Sequence, residues 1–92
     1  KQSKRIILRY FSKMEKGRME IVLPCGEKII FGDDENCNPA KMRIRSSNFF
    51  KKCVLYGDIG LGEAYVEGDW DTDDISSVIS WFILNVKKLF VF

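Results

Sequence analysis

Residues 57–75, GDIGLGEAYVEGDWDTDDI, join closely spaced glycines to acidic residues and contain neither lysine nor arginine. Glycine accepts backbone angles that other residues avoid, so repeated glycines mark places where the chain turns sharply. Tyr65 and Trp70 are large side chains that favour burial as core anchors. This glycine–acid stretch therefore predicts a structural elbow, in which a short helix ends at Gly68 and an extended segment leads into a final helix.

The carboxylates of this stretch are also the candidates for catalysis and for metal binding. Glu63 and Glu67 are four residues apart on the predicted helix, so they point the same way into solvent. Paired catalytic carboxylates need burial or close approach to separate their pKa values. A carboxylate site for magnesium or calcium is a further alternative. The spacing favours the structural interpretation, with no catalytic, cofactor-binding or metal-binding residue in the chain.

Two segments before this stretch have the alternation of β-strands. Residues 18–32, RMEIVLPCGEKIIFG, predict a β-hairpin whose turn contains Pro24 and Gly26. Residues 40–46, AKMRIRS, predict a third strand with a basic outer face. RNA-binding sheets carry aromatic side chains on the exposed face, and this face has none. Nucleic acid is therefore not an expected partner.

The first helix is predicted over residues 3–17, with Ser3 as N-cap and Gly17 as its stop. Its apolar stripe has helical spacing and consists of Ile7, Tyr10, Phe11 and Met14. A basic helix face, defined here as Lys4, Arg5, Arg9 and Lys13, lies away from that stripe. A basic amphipathic helix can bind an anionic membrane surface. The alternative is that the stripe packs on the sheet and the charges are simply solvated.

Two more helices are predicted. Residues 46–57 begin with helix-starting residues and end at Gly57, which places Phe49, Cys53 and Tyr56 on one side. The final helix has an apolar stripe with a period of 3.6, formed by Ile75, Val78, Ile79, Phe82, Val86 and Leu89. Trp81 and Ile83 lie off that stripe, and this extra apolar width predicts contact with a second domain or with a second copy in a homodimer.

Composition limits the function classes. The chain of 92 residues is long enough for one domain, and it has no histidine, which excludes Ser-His-Asp and Cys-His triads. The three cysteines are widely spaced, which favours free thiols in a reducing compartment. No apolar run reaches the roughly 18 residues of a membrane span. We therefore expect a cytoplasmic protein, peripheral at most on the inner face of the membrane.

The predicted fold class is α+β, with a small antiparallel sheet of three or more strands packed by helices. The chain lacks an initiator methionine and ends on the apolar sequence KKLFVF. Natural termini are usually polar and loosely held. We therefore expect residues 1–92 to be a single non-catalytic domain, cut from a longer protein.

The glycine–acid stretch also contains a phrase of the form G-x-x-G-x-G-E-x-Y-x-x-G-x-W. Its residues are Gly57, Gly60, Gly62, Glu63, Tyr65, Gly68 and Trp70. Asp73, Asp74 and Ile75 come next, as the start of a helix. With the hairpin upstream, the phrase resembles the N-terminal domain of the cyclopropane-fatty-acyl-phospholipid synthase family, over roughly residues 15–88. The hairpin turn has Cys25-Gly26 where family members often have Asp-Gly.

This resemblance implies a function for the parent protein. Enzymes of the family transfer a methyl group from S-adenosylmethionine to the double bond of a phospholipid acyl chain, with bicarbonate proposed as the base that closes the cyclopropane ring. The cofactor and the catalytic residues belong to a C-terminal Rossmann-like domain. The N-terminal domain resembles sterol-carrier-type lipid-binding folds and is thought to assist membrane engagement and assembly.

The expected role is therefore an accessory N-terminal domain whose partners are its own catalytic domain and an anionic phospholipid membrane. Two alternatives stay open. One is a free-standing lipid-binding module of sterol-carrier type, which requires an apolar cavity. The other is an interaction or dimerisation module that uses Trp81, Ile83 and the residues at 90–92.

Overall fold

The computed structural model describes residues 2–33, 36 and 38–85. These residues form three helices and four strands. In order they are α1 (Gln2–Ser12), β1 (Met19–Val22), β2 (Lys28–Phe31), β3 (Ala40–Ile44), α2 (Asn48–Val66), β4 (Trp70–Asp71) and α3 (Ile75–Leu84). The predicted α+β class is confirmed, and the last residues of the predicted final helix, including Val86 and Leu89, lie outside the described part of the chain.

The strands form one sheet in the order β2-β1-β3-β4. The hairpin is confirmed: β1 and β2 are antiparallel, and the N–H of Gly26 donates to the carbonyl of Leu23 at 2.8 Å. The sheet is mixed, however, and the prediction of a wholly antiparallel sheet is wrong. Strand β3 lies on the side of β1 opposite to β2. Met19 is paired with Ala40, and the two strands run parallel.

Alternating side chains of β1 and β3 supply the centre of the core. Met19, Ile21 and Met42 are fully buried, whereas Lys41 on the other face of β3 is exposed. The helices add the remaining core side chains, among them Phe11, Phe49 and Trp81. This period-two burial is what the sequence pattern predicts for a half-buried sheet.

Helix α1 ends earlier than predicted. The N–H groups of Lys13 and Met14 donate to the carbonyls of Tyr10 and Phe11, three residues back. Such bonds tighten the last turn of a helix and end it, here before the predicted stop at Gly17. The helix also contains Ser3, which is therefore not its N-cap. The stripe prediction holds, because Ile7, Phe11 and Met14 are buried.

Helix α2 continues through the residue predicted to stop it. Gly57 adopts φ 60° and ψ −130°, which kinks the helix between its two halves. Only glycine accepts such a backbone angle without strain, so the glycine bends the helix instead of ending it. Tyr56, predicted on the same side of the helix as Phe49, is 56% exposed, whereas Phe49 is fully buried.

Helix α3 is turned relative to its predicted stripe. Its buried side chains are Val78 and Trp81, and Ile79 is 50% exposed. The cause lies at the C-terminal end of the helix, where the Asn85 side chain accepts from the Lys16 N–H at 3.0 Å and donates to the Lys16 carbonyl at 3.1 Å. This pair of hydrogen bonds fixes the rotation of α3. At the other end, the Asp74 carboxylate caps the helix by accepting from the Ser77 N–H.

Candidate functional site

The two halves of α2 come into close contact at Gly60. A side-chain carbon built on Gly60 would lie 2.0 Å from the Lys52 carbonyl oxygen, far inside van der Waals contact. The two glycines therefore act together. Gly57 bends the helix, and Gly60, which has no side chain, allows the Lys52 backbone to pack against it. Gly62 has nothing within 4 Å of the equivalent position.

Lys52 holds the acidic end of the glycine–acid stretch. Its Nζ lies 2.5 Å from Oδ2 of Asp69 and also pairs with Glu67. Asp69 is only 8% exposed, so its charge needs a partner of this kind. Hydrogen bonds to Asp69 and Glu67 raise the pKa of Lys52 above its usual value. Lys52 is therefore held as a cation beside this carboxylate pair.

A second set of ion pairs links the stretch to β3. Arg43 Nε lies 2.6 Å from Asp71 Oδ1, and Arg43 Nη2 lies 2.9 Å from Asp73 Oδ1, while Arg45 also pairs with Asp71. Partial burial acts to raise the pKa of Asp71, but hydrogen bonds from Arg45 and Arg43 outweigh it and lower that pKa. Hydrogen bonding to Arg43 likewise lowers the pKa of Asp73. These arginines are the basic outer face predicted for the third strand, and here they bind acids of the same chain.

The two aromatic residues of the stretch have different exposures. Trp70 is buried, and its indole N–H donates to the Leu61 carbonyl at 2.9 Å. Tyr65 packs against Trp70 with ring centroids 4.9 Å apart and the rings tilted by 50°, but it is 42% exposed. Trp70 is therefore a core anchor, as predicted, whereas Tyr65 covers it from the surface.

The residues of the family phrase are thus placed in α2, in the turn after it and in β4. Gly57, Gly60 and Trp70 have the backbone or packing roles described above, and Gly68 turns the chain after α2 with φ 81°. Glu63 is exposed. Within the described residues no group of three or more carboxylate or thiol side chains is arranged to hold a metal ion. Four acids bind neighbouring cations of the same domain, an arrangement suited to holding the elbow in shape; they are Glu67, Asp69, Asp71 and Asp73.

A separate feature is an apolar groove between α1 and α2. It encloses about 390 Å³. Its walls are formed by Ile6, Ile7, Tyr10, Phe11, Cys53, Val54, Gly57, Asp58, Leu61 and Phe82. Burial raises the pKa of the Cys53 thiol to about 12, so this cysteine is a neutral wall residue and not a thiolate nucleophile. The groove has the size of pockets that bind small apolar ligands, about 300–1,000 Å³.

The four residues of the basic helix face are all exposed. Two of them are next to the groove. Arg9 lies three positions after the groove residue Ile6, and Lys13 lies three positions after Tyr10. Residues three apart on a helix are neighbours on its surface. Arg9 therefore lies next to Ile6 on the surface of α1, and Lys13, in the turn after Ser12, lies close to Tyr10 because its N–H donates to the Tyr10 carbonyl.

Further apolar side chains are exposed on α2 around the kink. Leu55 and Ile59 are exposed, and so are the groove residues Val54 and Ile6. Val54, Leu55 and Ile59 lie within five residues of the kink at Gly57, and Ile6 lies on the facing helix α1. In the described part of the chain no helix is both long enough and apolar enough to cross a bilayer.

The two residues predicted for a domain or subunit interface are separated by the fold. Trp81 is 3% exposed and packs edge-to-face against Phe11 at 5.9 Å. It is a core residue of this domain, because the rotation of α3 set by Asn85 turns it inward. Ile83 is 66% exposed, and the neighbouring Leu84 is exposed as well. The interface prediction therefore depends on Ile83 alone.

Sequence reasoning missed Lys52 and the groove. Lys52 carries no local signal, since its partners are 15 and 17 residues away. The groove had a partial signal in Ile6, an apolar residue beside the predicted stripe of α1. Val54 and Leu61 are seven positions apart, a helical spacing, but the sequence predicts a helix end at Gly57 between them, so it does not assign them to one face.

Comparison with known proteins gives partial matches to two enzymes of the same name. The chain is similar to the cyclopropane-fatty-acyl-phospholipid synthases of Escherichia coli strain K12 and of E. coli O6:H1 strain CFT073, at 38% identity over 42 residues in each case. The match covers 46% of this chain and 11% of each relative. No family model matches the chain. No solved structure matches it either, so the resemblance to sterol-carrier folds stays a prediction.

The matched segment is thus a small part of much longer enzymes. An identity of 38% over 42 residues supports a relation to the cyclopropane-fatty-acyl-phospholipid synthase family, limited to this part of the chain.

Proposed function

We propose that this domain is the accessory N-terminal part of a cyclopropane-fatty-acyl-phospholipid synthase-like methyltransferase, and that it brings the enzyme to an anionic phospholipid surface. The observation that carries the proposal is the apolar groove lined by α1, the helix on which the exposed cations Lys4, Arg5 and Arg9 of the basic helix face lie. The partial match to the synthases supports the choice of enzyme class.

Two interactions would hold the domain at the membrane surface, one from charge and one from apolar side chains. Cytoplasmic leaflets carry a negative surface potential, and each lysine or arginine near the surface contributes about 1 kcal/mol of attraction. The basic helix face supplies four such charges. Exposed apolar residues beside it, Ile6 and Val54 among them, add burial in the interfacial region. Neither attraction alone gives stable and oriented binding.

In this proposal the methyl transfer takes place in a separate domain. That domain would bind S-adenosylmethionine and act on unsaturated phospholipid acyl chains, with bicarbonate as a candidate base. Glu67, Asp69, Asp71 and Asp73 are engaged in ion pairs with lysine or arginine side chains of this domain, which suits a structural role. This domain would contribute position, holding the catalytic domain close to the bilayer.

The parent coding sequence, read beyond Phe92, tests the enzyme class. We expect a downstream strand and then a glycine-rich loop that binds S-adenosylmethionine. The expressed parent should then transfer labelled methyl groups to vesicles of unsaturated phosphatidylglycerol. A stop codon soon after Phe92, or a parent with no methyl transfer to lipid, would contradict the proposal.

A second candidate is a free-standing lipid-binding module. The groove favours it, because an apolar cavity is what such a module needs. The accessory domain requires a methyltransferase domain encoded beyond Phe92 and the free-standing module does not, so the same sequencing experiment separates them. A dimerisation module is a third possibility, to which Ile83 and Leu84 contribute exposed apolar surface. Sedimentation of the parent at high concentration tests that role.

A further inference from the structure

We infer that the groove between α1 and α2 receives one acyl chain of an anionic phospholipid, whose phosphate is bound by Arg9 and Lys13. This inference rests on the proposed function in taking the membrane as the source of the lipid. It adds a ligand site in this domain, separate from any site of methyl transfer.

The walls of the groove suit a hydrocarbon chain. Ile6, Ile7 and Phe11 line it from α1, and Val54 and Leu61 line it from α2. Tyr10 is a wall residue too, and burial raises its pKa, so its hydroxyl stays neutral. An acyl chain in this position would remove apolar surface of both helices from water, which is the main favourable term in binding such a ligand.

The kink in α2 forms the groove. Gly57 lines it, and a side-chain carbon at that position would meet nothing within 4 Å, so the groove is open there. Residues 58–61 come directly after the kink and provide Asp58 and Leu61 as wall residues.

Charge placement decides for an anionic lipid over a neutral one. Arg9 lies beside the groove residue Ile6 on α1, Lys13 follows α1 with its N–H bonded to the Tyr10 carbonyl, and both are exposed. We infer that the lipid headgroup lies at this edge of the groove. A chain inserted between the helices with its headgroup at this edge would place a phosphate beside two cations. Asp58 is the one acid among the wall residues, and its carboxylate accepts from the Ile59 N–H at 3.0 Å.

The test uses the 92-residue chain and a lipid short enough to stay monomeric, dioctanoyl phosphatidylglycerol. The protein is ¹⁵N-labelled and the lipid is titrated below its critical micelle concentration. We expect saturable one-site shifts of backbone amides that line the groove. Dioctanoyl phosphatidylcholine, which lacks the net negative charge, should bind more weakly.

Two valines of α2 provide a matched pair of variants. Val54→Glu places a carboxylate in the groove wall and should weaken binding at least about ten-fold, because a charge without a partner is unfavourable in an apolar site. Val66→Glu makes the same change at an exposed position that does not line the groove, and should leave affinity unchanged. Ile6→Ser, on the facing helix, should weaken binding as well. Both groove positions are partly exposed, so these variants are expected to fold.

The inference is overturned if no saturable shifts occur, or if Val54→Glu and Val66→Glu bind the lipid equally. It is also overturned if the groove amides shift with protein concentration alone, since a second copy would then be the occupant. If the Val54→Glu variant still binds vesicles and the chain does not bind the monomeric lipid, the membrane proposal stands and the groove site is removed. If the chain binds the monomeric lipid but its parent protein transfers no methyl group to lipid, the groove site stands and the proposed enzyme class is removed.

Discussion

The backbone of Gly60 lies against the carbonyl of Lys52, so close that a side-chain carbon at position 60 would stand 2.0 Å from that oxygen. The contact joins the two halves of the kinked helix α2. The side chain of the same lysine binds Asp69 and Glu67 after the helix. One short region thus sets the bend that forms the groove and holds the elbow leading to α3.

The first prediction compares two glycines of this helix. Gly60→Ala should destabilise the domain by about 1–3 kcal/mol or more, because a methyl group forces the two backbone segments apart. Gly62→Ala meets nothing within 4 Å and should be neutral, or stabilising by up to about 1 kcal/mol, as for alanine in a helix. Urea unfolding of both variants measures the difference. Equal stabilities for the two would show that the close contact is not required.

The second prediction concerns the ion pair at the end of α2. Lys52→Met leaves the buried carboxylate of Asp69 without its cation and should lower the thermal midpoint by several degrees. Lys51→Met removes the same charge at an exposed neighbouring position and should change the midpoint little. Differential scanning calorimetry checks both. If Lys51→Met were the more harmful change, the assigned pairing would be incorrect.

The third prediction tests what fixes the rotation of α3. Asn85→Ala removes two partly buried hydrogen bonds to the Lys16 backbone, for a loss of about 1–3 kcal/mol in the free energy of unfolding. Near-ultraviolet circular dichroism should change too, because Trp81 depends on this rotation for its place in the core. Asn48→Ala, at an exposed position, is the control. A variant at position 85 with full stability and an unchanged tryptophan signal would contradict the assignment.

The fourth prediction is a pH dependence. The pKa values of Asp71 and Asp73 are lowered in the folded state, so these carboxylates contribute stability above their unfolded pKa of about 3.9. That contribution is lost as the pH falls below this value through the folded pKa values. Its size is small, because Asp73 is mostly solvated and screened.

Arg43→Gln tests this pH dependence. It removes the Arg43 hydrogen bonds to both carboxylates, while the bond from Arg45 to Asp71 remains, so the stability of the variant should depend less steeply on pH in this acidic range. Arg5→Gln, an exposed residue of α1, is the control. Urea midpoints measured as a function of pH give the comparison. Parallel curves for wild type and Arg43→Gln would exclude these ion pairs as the source.

The sequence indicates the elements better than it indicates their contacts. Alternation in residues 18–32 and 40–46 predicts the strands because side-chain burial follows the pleat of a sheet. The parallel pairing of β1 with β3 depends on the side of β1 on which the chain lies after β2. No local sequence pattern indicates which side that is. The pairing of β4 with β3 is similarly non-local, with Ile44 opposite Trp70.

The candidate site shows the same division. The sequence marks the basic helix face and the turning glycines, since both are local features of composition. It does not show that α2 bends at Gly57 and continues, because a glycine after a helical segment is more often its end. The groove exists only through that bend and through the packing of α1 on α2, so it could be recognised only in three dimensions.

The central claim is that the basic helix face brings this domain to anionic membranes, and vesicle co-sedimentation of the 92-residue chain tests it most directly. We predict binding to phosphatidylglycerol vesicles at low salt that weakens as salt rises, with little binding to phosphatidylcholine, because attraction to surface charge is screened within about 8–10 Å at ordinary ionic strength.

The decisive comparison is between two variants that each lose four positive charges. Replacing the basic helix face by glutamine should lower the affinity at least about ten-fold. Replacing four other exposed lysines by glutamine should preserve it; these are Lys16, Lys28, Lys41 and Lys51. Equal binding to neutral and anionic vesicles, or equal losses in the two variants, would contradict the account.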